Sequence, residues 1–115
     1  MGSKNISQRK GVWAELQVVQ LLTRRKWQLV SYRTKINKVE IDIVLKKSNS
    51  LLVGEVKYLD SDWRAFERMS DSQVQKIKKT VLYLRKNEPR YQICAYLFFV
   101  NAKAQVRFIN LDDLF

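Results

Sequence analysis

Two short acidic triplets, Glu40-Ile41-Asp42 and Glu55-Val56-Lys57, lie inside apolar runs on either side of the polar turn Lys47-Ser48-Asn49-Ser50. Carboxylates beside an ammonium suit a divalent metal working on a phosphodiester: a hard cation takes the carboxylate oxygens and substrate phosphate, and the lysine stands beside it. Val39 to Leu45 alternates apolar and charged residues, as a half-buried strand does, and Leu51 to Tyr58 is rich in β-formers. The two runs make a hairpin. With its turn centred between Ser48 and Asn49, Asp42 sits opposite Glu55 and Glu40 opposite Lys57. Directly opposed side chains are roughly 4.5 to 5.5 Å apart at Cβ, where like charges destabilise. A cation such as Mg²⁺ is one compensation, and Lys57 shares the face of Glu55 because strand side chains repeat every second residue. A turn centred between Asn49 and Ser50 instead pairs Asp42 with Lys57 in a surface ladder of little energetic worth. Both registers are open at this point.

A third carboxylate bears on the choice. The segment from Ser7 to Lys26 reads as an amphipathic helix, with Val12, Leu16, Val19 and Leu22 recurring at three and four. At about 100° per residue, Glu15 projects between Val19 and Leu22, inside the arc facing the core. Carboxylates are hardly ever unpaired there. Glu15 either answers a buried Arg or Lys, or reaches over the sheet toward the carboxylates of the hairpin.

The ordered set Gly11, Glu15, Arg33, Glu40-Ile41-Asp42-Ile43-Val44 and Glu55-Val56-Lys57, followed by a helix carrying Lys76, resembles the YraN-like proteins. These are small relatives of Holliday-junction resolvases within the PD-(D/E)xK nuclease superfamily, and the resemblance runs from about Lys10 to Val100. It implies a restriction-endonuclease-like core in which Asp42 and Glu55 bind Mg²⁺ or Mn²⁺ and Val56 lends its backbone carbonyl. It also implies that Lys57 orients or deprotonates the attacking water, and that Glu15 binds or supports a metal from the first helix. Three places depart from the family's pattern: Val39 stands where Gly is usual, Tyr58-Leu59 replaces a polar or basic continuation, and Gln92 stands where Asp often follows Arg90.

The remaining elements must position these groups. Trp27 to Arg33 reads as a strand, and Asp60 to Met69 as a loop or irregular turn. Ser70 or Asp71 can cap a second helix running to about Lys86 with the stripe Val74, Ile77, Val81 and Leu84, and the lone Pro89 follows its end. Tyr91 to Val100 is almost continuously apolar, as a central strand buried on both faces is. Gln105 to Asn110 is a last strand and Leu111 to Phe115 a tail. The expected fold is a single α/β domain over residues 1–115, a mixed sheet flanked by helices in the order αβββαββ.

Charge points to a polyanion. The chain has 22 Lys and Arg against 11 Asp and Glu, a formal net charge of +11. Such a balance is the footprint of nucleic-acid binding, in which neutralised phosphates release counterions. Gln73 and Lys76, on the half of the second helix nearest the Glu-x-Lys strand, together with Arg33 and Arg64, are the candidate nucleic-acid contacts. Trp63, Arg64, Phe66 and Arg68 interleave aromatic and basic types that suit unpaired bases, or a loop packing its rings on the core. Arg24, Arg25 and Lys26 also complement a helix C-terminal dipole. No apolar run reaches the length of a membrane span and no signal or lipidation pattern is present, so no membrane is expected. The single Cys94 makes no internal disulfide, consistent with a reducing cytoplasm. There is no His, which excludes HNH-type and His-dependent ribonuclease chemistry. The expected activity is a metal-dependent DNA endonuclease with branched or four-way-junction DNA as leading substrate class, for which a symmetric homodimer would suit paired nicks. The alternatives are a non-catalytic nucleic-acid-binding module on the same fold and an RNA-processing nuclease.

Overall fold

Alternation and turn chemistry decide the sheet. In the computed structural model, which describes residues 3–60 and 71–115 with side chains from residue 9 onward, strands β1 (Gln28–Ile36), β2 (Val39–Lys47), β3 (Ser50–Leu59), β4 (Gln92–Asn101) and β5 (Val106–Asn110) lie side by side in chain order. Helix α1 (Ser3–Arg24) precedes β1, α2 (Asp71–Asn87) separates β3 from β4, and a short 3₁₀ turn (Asp112–Leu114) follows β5 where a simple tail was expected. The β3–β4 pair is parallel and the other three pairs antiparallel, so the sheet is mixed. The expectations for Trp63, Arg64, Phe66, Arg68 and a Ser70 cap fall outside the described residues.

The first hairpin turns on Asn37 and Lys38, both at positive φ (49° and 70°), the pattern of a type I′ turn whose twist matches that of the strands it joins. It carries β1 three residues beyond the expected Arg33. The second hairpin pairs Lys47 with Ser50 and Ile43 with Gly54, with Ser48 at φ 53°. This is the register with the turn centred between Ser48 and Asn49, so the surface ladder between Asp42 and Lys57 does not form. Helix α1 ends in a Schellman motif: Trp27 N–H donates to Leu22 O, Lys26 N–H to Thr23 O, and Lys26 takes the left-handed conformation at φ 76°. The chain thereby turns directly into β1.

Each helix covers one face of the sheet. On the α1 side, Ala14, Val18 and Leu22 pack with Ile43, Leu45, Leu52, Phe98 and Val100. On the other, Ile77, Val81 and Leu84 of α2 pack with Val44, Val53, Leu97 and Phe99. Of the expected α2 stripe Ile77, Val81 and Leu84 are buried, with Thr80 buried beside them, while Val74 is half-buried. The α1 stripe differs: Leu16 is 48% exposed and Ala14 fully buried. Ala14, Val18 and Leu22 repeat at four along the helix, and the sheet takes the small Ala14 in place of the larger Leu16. The final residues are also anchored, because Leu111 is buried, its N–H donates to Ala95 O, and Asp112 Oδ1 accepts the Ala95 N–H at 2.7 Å.

Gly54 closes the last backbone-paired step of β2 and β3. A Cβ built on it would come within 3.0 Å of both Ile43 Cγ1 and Phe98 Cε2. Its φ is not positive, so close approach of side chains on the α1 side is what demands glycine. Gly54→Ala should therefore lower unfolding free energy by about 1 to 3 kcal/mol, the usual cost of overpacking, as read by urea denaturation.

Candidate functional site

The site begins where β2 and β3 part. Their backbone ladder runs from Lys47 and Ser50 to Ile43 and Gly54 and goes no further, while β2 stays paired to β1 as far as Val39 and β3 to β4 as far as Leu59. At this fork the alternation of β2 also breaks. Ile43 and Leu45 pack on the α1 side, whereas Ile41, two residues away, packs with the α2-side core.

Side chains take over from the backbone at the next step. The Asp42 N–H donates to Glu55 Oε1 at 3.3 Å, and the Val56 N–H donates to Asp42 Oδ2 at 2.9 Å. Asp42 and Glu55 are thus neighbours across the fork, as the sequence register implies, each satisfying backbone that the parted ladder leaves behind. Beyond them the expected Glu40 and Lys57 pair is absent from the ladder. Glu40 pairs in register with Lys35 of β1, and at that step β2 has already left β3.

Glu55 is the electrostatic centre. It is 6% exposed, and burial together with the charge of Asp42 raises its carboxyl from an ordinary value near 4.5 to about 8. Lys76 of α2 opposes that shift, with its Nζ 3.2 Å from Glu55 Oε1. The sequence placed Lys76 among nucleic-acid contacts; the fold makes it the cation that faces the buried acid. Gln73 lies one turn earlier on α2 and is half-buried. Lys57, two residues after Glu55 on β3, is exposed.

Glu15 is 3% exposed and answers an arginine. Arg33 Nη2 lies 2.9 Å from its Oε1, Arg33 Nε donates to the same carboxylate, and the Tyr32 hydroxyl donates to Oε1 at 2.7 Å. Of the two readings open for Glu15, pairing with a basic partner is the one seen. Burial nevertheless raises its carboxyl, and Asp42 adds to that rise, so Glu15 lies within the field of the hairpin acids. Arg33 falls between the register pairs Tyr32 with Ile43 and Thr34 with Ile41, which puts it across from Asp42. Its φ of 48° is left-handed, a conformation costly for a side chain with a Cβ. That distortion at an edge strand turns Arg33 toward α1. Tyr32, which sequence reading passed over, completes the set.

Asp42, Glu55 and Lys76 are therefore brought together, Lys57 stands nearby on the same strand, Glu15 and Arg33 form an adjoining pair, and Arg64 lies outside the described residues. Among the described residues no group of three or more His, Cys, Asp or Glu is arranged to hold a metal. The donors at the fork are the Asp42 and Glu55 carboxylates, to which the resemblance adds the Val56 carbonyl. Mg²⁺ commonly binds through one or two carboxylates, completed by water and phosphate, so this set fits it. No helix among the described residues is long and apolar enough to cross a membrane.

The family described as "Uncharacterised protein family UPF0102" matches residues 14–108, a span that contains Glu15, Arg33, Asp42, Glu55, Lys57 and Lys76. A UPF0102 protein of Prochlorococcus marinus strain MIT 9303 is 55% identical over 51 residues, 44% of this chain and 40% of that protein. One of Acinetobacter baumannii strain AYE is 29% identical over 89 residues, 76% of this chain and 67% of that protein. One of Acinetobacter baylyi is 36% identical over 84 residues, 71% and 60% respectively. The match thus spans about two fifths of the Prochlorococcus relative's length.

The raised Glu55 carboxyl makes stability depend on pH. A group whose pKa is higher in the folded state stabilises the fold fully below its unfolded value, near 4.5 here, and that contribution is lost as pH rises through about 8. Wild type should lose a few kcal/mol of unfolding free energy across that window, as measured by urea denaturation at constant ionic strength. Glu55→Gln should flatten the profile.

Proposed function

The chain belongs to the UPF0102 family, the family of the YraN-like proteins its motifs resemble, and on that premise we propose that it is a metal-dependent endonuclease. The observation that carries the reading is the pairing of half-buried Asp42 with buried Glu55 at the fork, flanked by Lys57 and Lys76 on a strongly basic chain. Two adjacent carboxylates with a carboxyl pushed toward neutrality form a site that a cation relieves, and net positive charge brings a polyanion to it.

Asp42, Glu55 and the Val56 carbonyl are the groups that would hold Mg²⁺ or Mn²⁺. Bound there, such an ion supplies Lewis acidity that activates a water and offsets the charge gathering on the phosphate. The chain's own groups do the rest. Lys57, exposed and on the face of Glu55 by strand alternation, reaches the phosphate or the attacking water and holds it in line. Lys76 faces Glu55 in the resting site, favouring its ionised form, and turns its ammonium to the substrate when that carboxylate is otherwise engaged. Glu15, with its oxygens taken by Arg33 and Tyr32, acts by orienting the Arg33 guanidinium, whose side chain remains 39% exposed toward a phosphate. The resemblance makes branched or four-way-junction DNA the leading substrate, for which paired nicks would suit a symmetric dimer.

A second reading, a non-catalytic nucleic-acid-binding module, draws on the engagement of Glu15 by Arg33, which leaves two carboxylates at the fork rather than three. Metal binding and cleavage separate the two readings. Mg²⁺ or Mn²⁺ should raise the melting temperature of wild type, by an amount set by RT ln(1 + [L]/Kd), about 2.7 kcal/mol at a hundredfold excess over Kd. Asp42→Asn and Glu55→Gln should each abolish that shift and any cleavage of linear, flap, single-stranded or four-way-junction DNA. Lys57→Ala should keep the thermal shift but lose most of the rate. A wild type that binds DNA, but neither responds to metal nor cuts DNA or RNA, is the binding module.

A further inference from the structure

A cavity of about 330 Å³ opens on the α1 side of the sheet, lined by Arg9, Lys10, Trp13, Tyr58 and Ala102. It combines two cationic side chains with two aromatic rings, and Trp13 and Tyr58 meet edge to face with centroids 6.0 Å apart, forming a corner rather than a filled stack. Lys10 bridges the corner. Its Nζ sits 5.4 Å from the Tyr58 ring centroid and 3.0 Å from Asp60 Oδ1. Both partners in that ion pair are well exposed, so the contact is worth little and is readily exchanged.

That resting arrangement imitates a ligand. The carboxylate of Asp60 stands where an anion meets Lys10, and the ammonium covers an aromatic face that a flat ring would otherwise cover. We infer that this corner is a subsite for one unpaired nucleotide, its base on Tyr58 and Trp13 and its phosphate on Lys10 and Arg9. The volume is at the lower end for ligand sites, enough for one nucleotide rather than an extended segment. Tyr58 follows Lys57 directly and is three residues from Glu55 on β3, a separation of about 10 Å along a strand. By strand alternation Tyr58 faces the α1 side whereas Glu55 faces Lys76 on the α2 side, so the subsite lies farther along β3 on the opposite face of the sheet from Lys57, and its meaning as a substrate subsite rests on the nuclease reading. Base-on-ring stacking is tolerant of sequence, so it selects strands with unpaired bases over continuous duplex.

The test is made without metal, so it is independent of cleavage. Binding of a short fluorescein-labelled oligothymidine and of a blunt duplex is followed by anisotropy in EDTA. Tyr58→Leu, which keeps apolar bulk but removes the ring, should weaken single-strand binding about 5- to 100-fold and change duplex binding less than about twofold. Tyr58→Trp should restore single-strand binding. Lys10→Gln, at an exposed position, should reduce the slope of log affinity against log salt by about 0.7 on the single strand, the value for one phosphate contact. Wild-type single-strand affinity in Tyr58→Leu, equal loss on both ligands, or an unchanged salt slope in Lys10→Gln would overturn the subsite. So would a wild type that does not bind the oligothymidine. A protein that cleaves yet shows no Tyr58 dependence loses the subsite alone; one that stacks a base yet never cuts loses the nuclease reading alone.

Discussion

The structure turns on two carboxylates held together where two strands separate. Asp42 and Glu55 occupy the step at which β2 and β3 stop exchanging backbone hydrogen bonds, and each accepts an N–H that the parted ladder leaves behind. Anions at this spacing repel, and burial of Glu55 adds a desolvation cost. Positive charge must answer, and Lys76 supplies it from α2. The fork, the acid pair and the facing lysine are one interdependent arrangement.

The surrounding fold exists to hold that step. Gly54 lets Ile43 and Phe98 close over the α1 side immediately before the fork, and β3 stays in parallel register with β4 after β2 has left it. On the edge strand, Arg33 accepts a left-handed backbone conformation and is held by buried Glu15. Local strain near a functional centre persists when the contacts around it over-determine the geometry. Here the Arg33 guanidinium, the Tyr32 hydroxyl and the Glu15 carboxylate do so, and they tie α1 to β1 beside Asp42.

Much of this is legible in the amino-acid order, for identifiable reasons. The polar four-residue turn between two β-rich runs specifies a tight hairpin, and its centre between Ser48 and Asn49 puts Asp42 beside Glu55. The apolar stripe of α2 and the buried run of β4 follow from periodicity alone. Other features depend on contacts that periodicity does not contain. The α1 stripe is read through Leu16 when size is weighted, yet the sheet accepts the small Ala14 and leaves Leu16 in solvent. Alternation assumes a regular strand, so it predicts Glu40 opposite Lys57 and is silent about the fork that prevents it. Lys76 looks like a surface cation until the helix is docked over Glu55. Arg33 shows no sequence sign of its positive φ, and Tyr32 becomes visible as a partner of Glu15 only once that distortion is known.

The proposed site requires Asp42 and Glu55 to act as one acid pair with a place for a divalent ion. Carbon-13 NMR of the Glu55 side-chain carboxyl, resolved by comparison with Glu55→Gln, measures this directly. Without metal its titration should centre near about 8, and with Mg²⁺ in excess the midpoint should fall well into the acidic range. A midpoint near the ordinary 4.5 that does not respond to Mg²⁺ would contradict it.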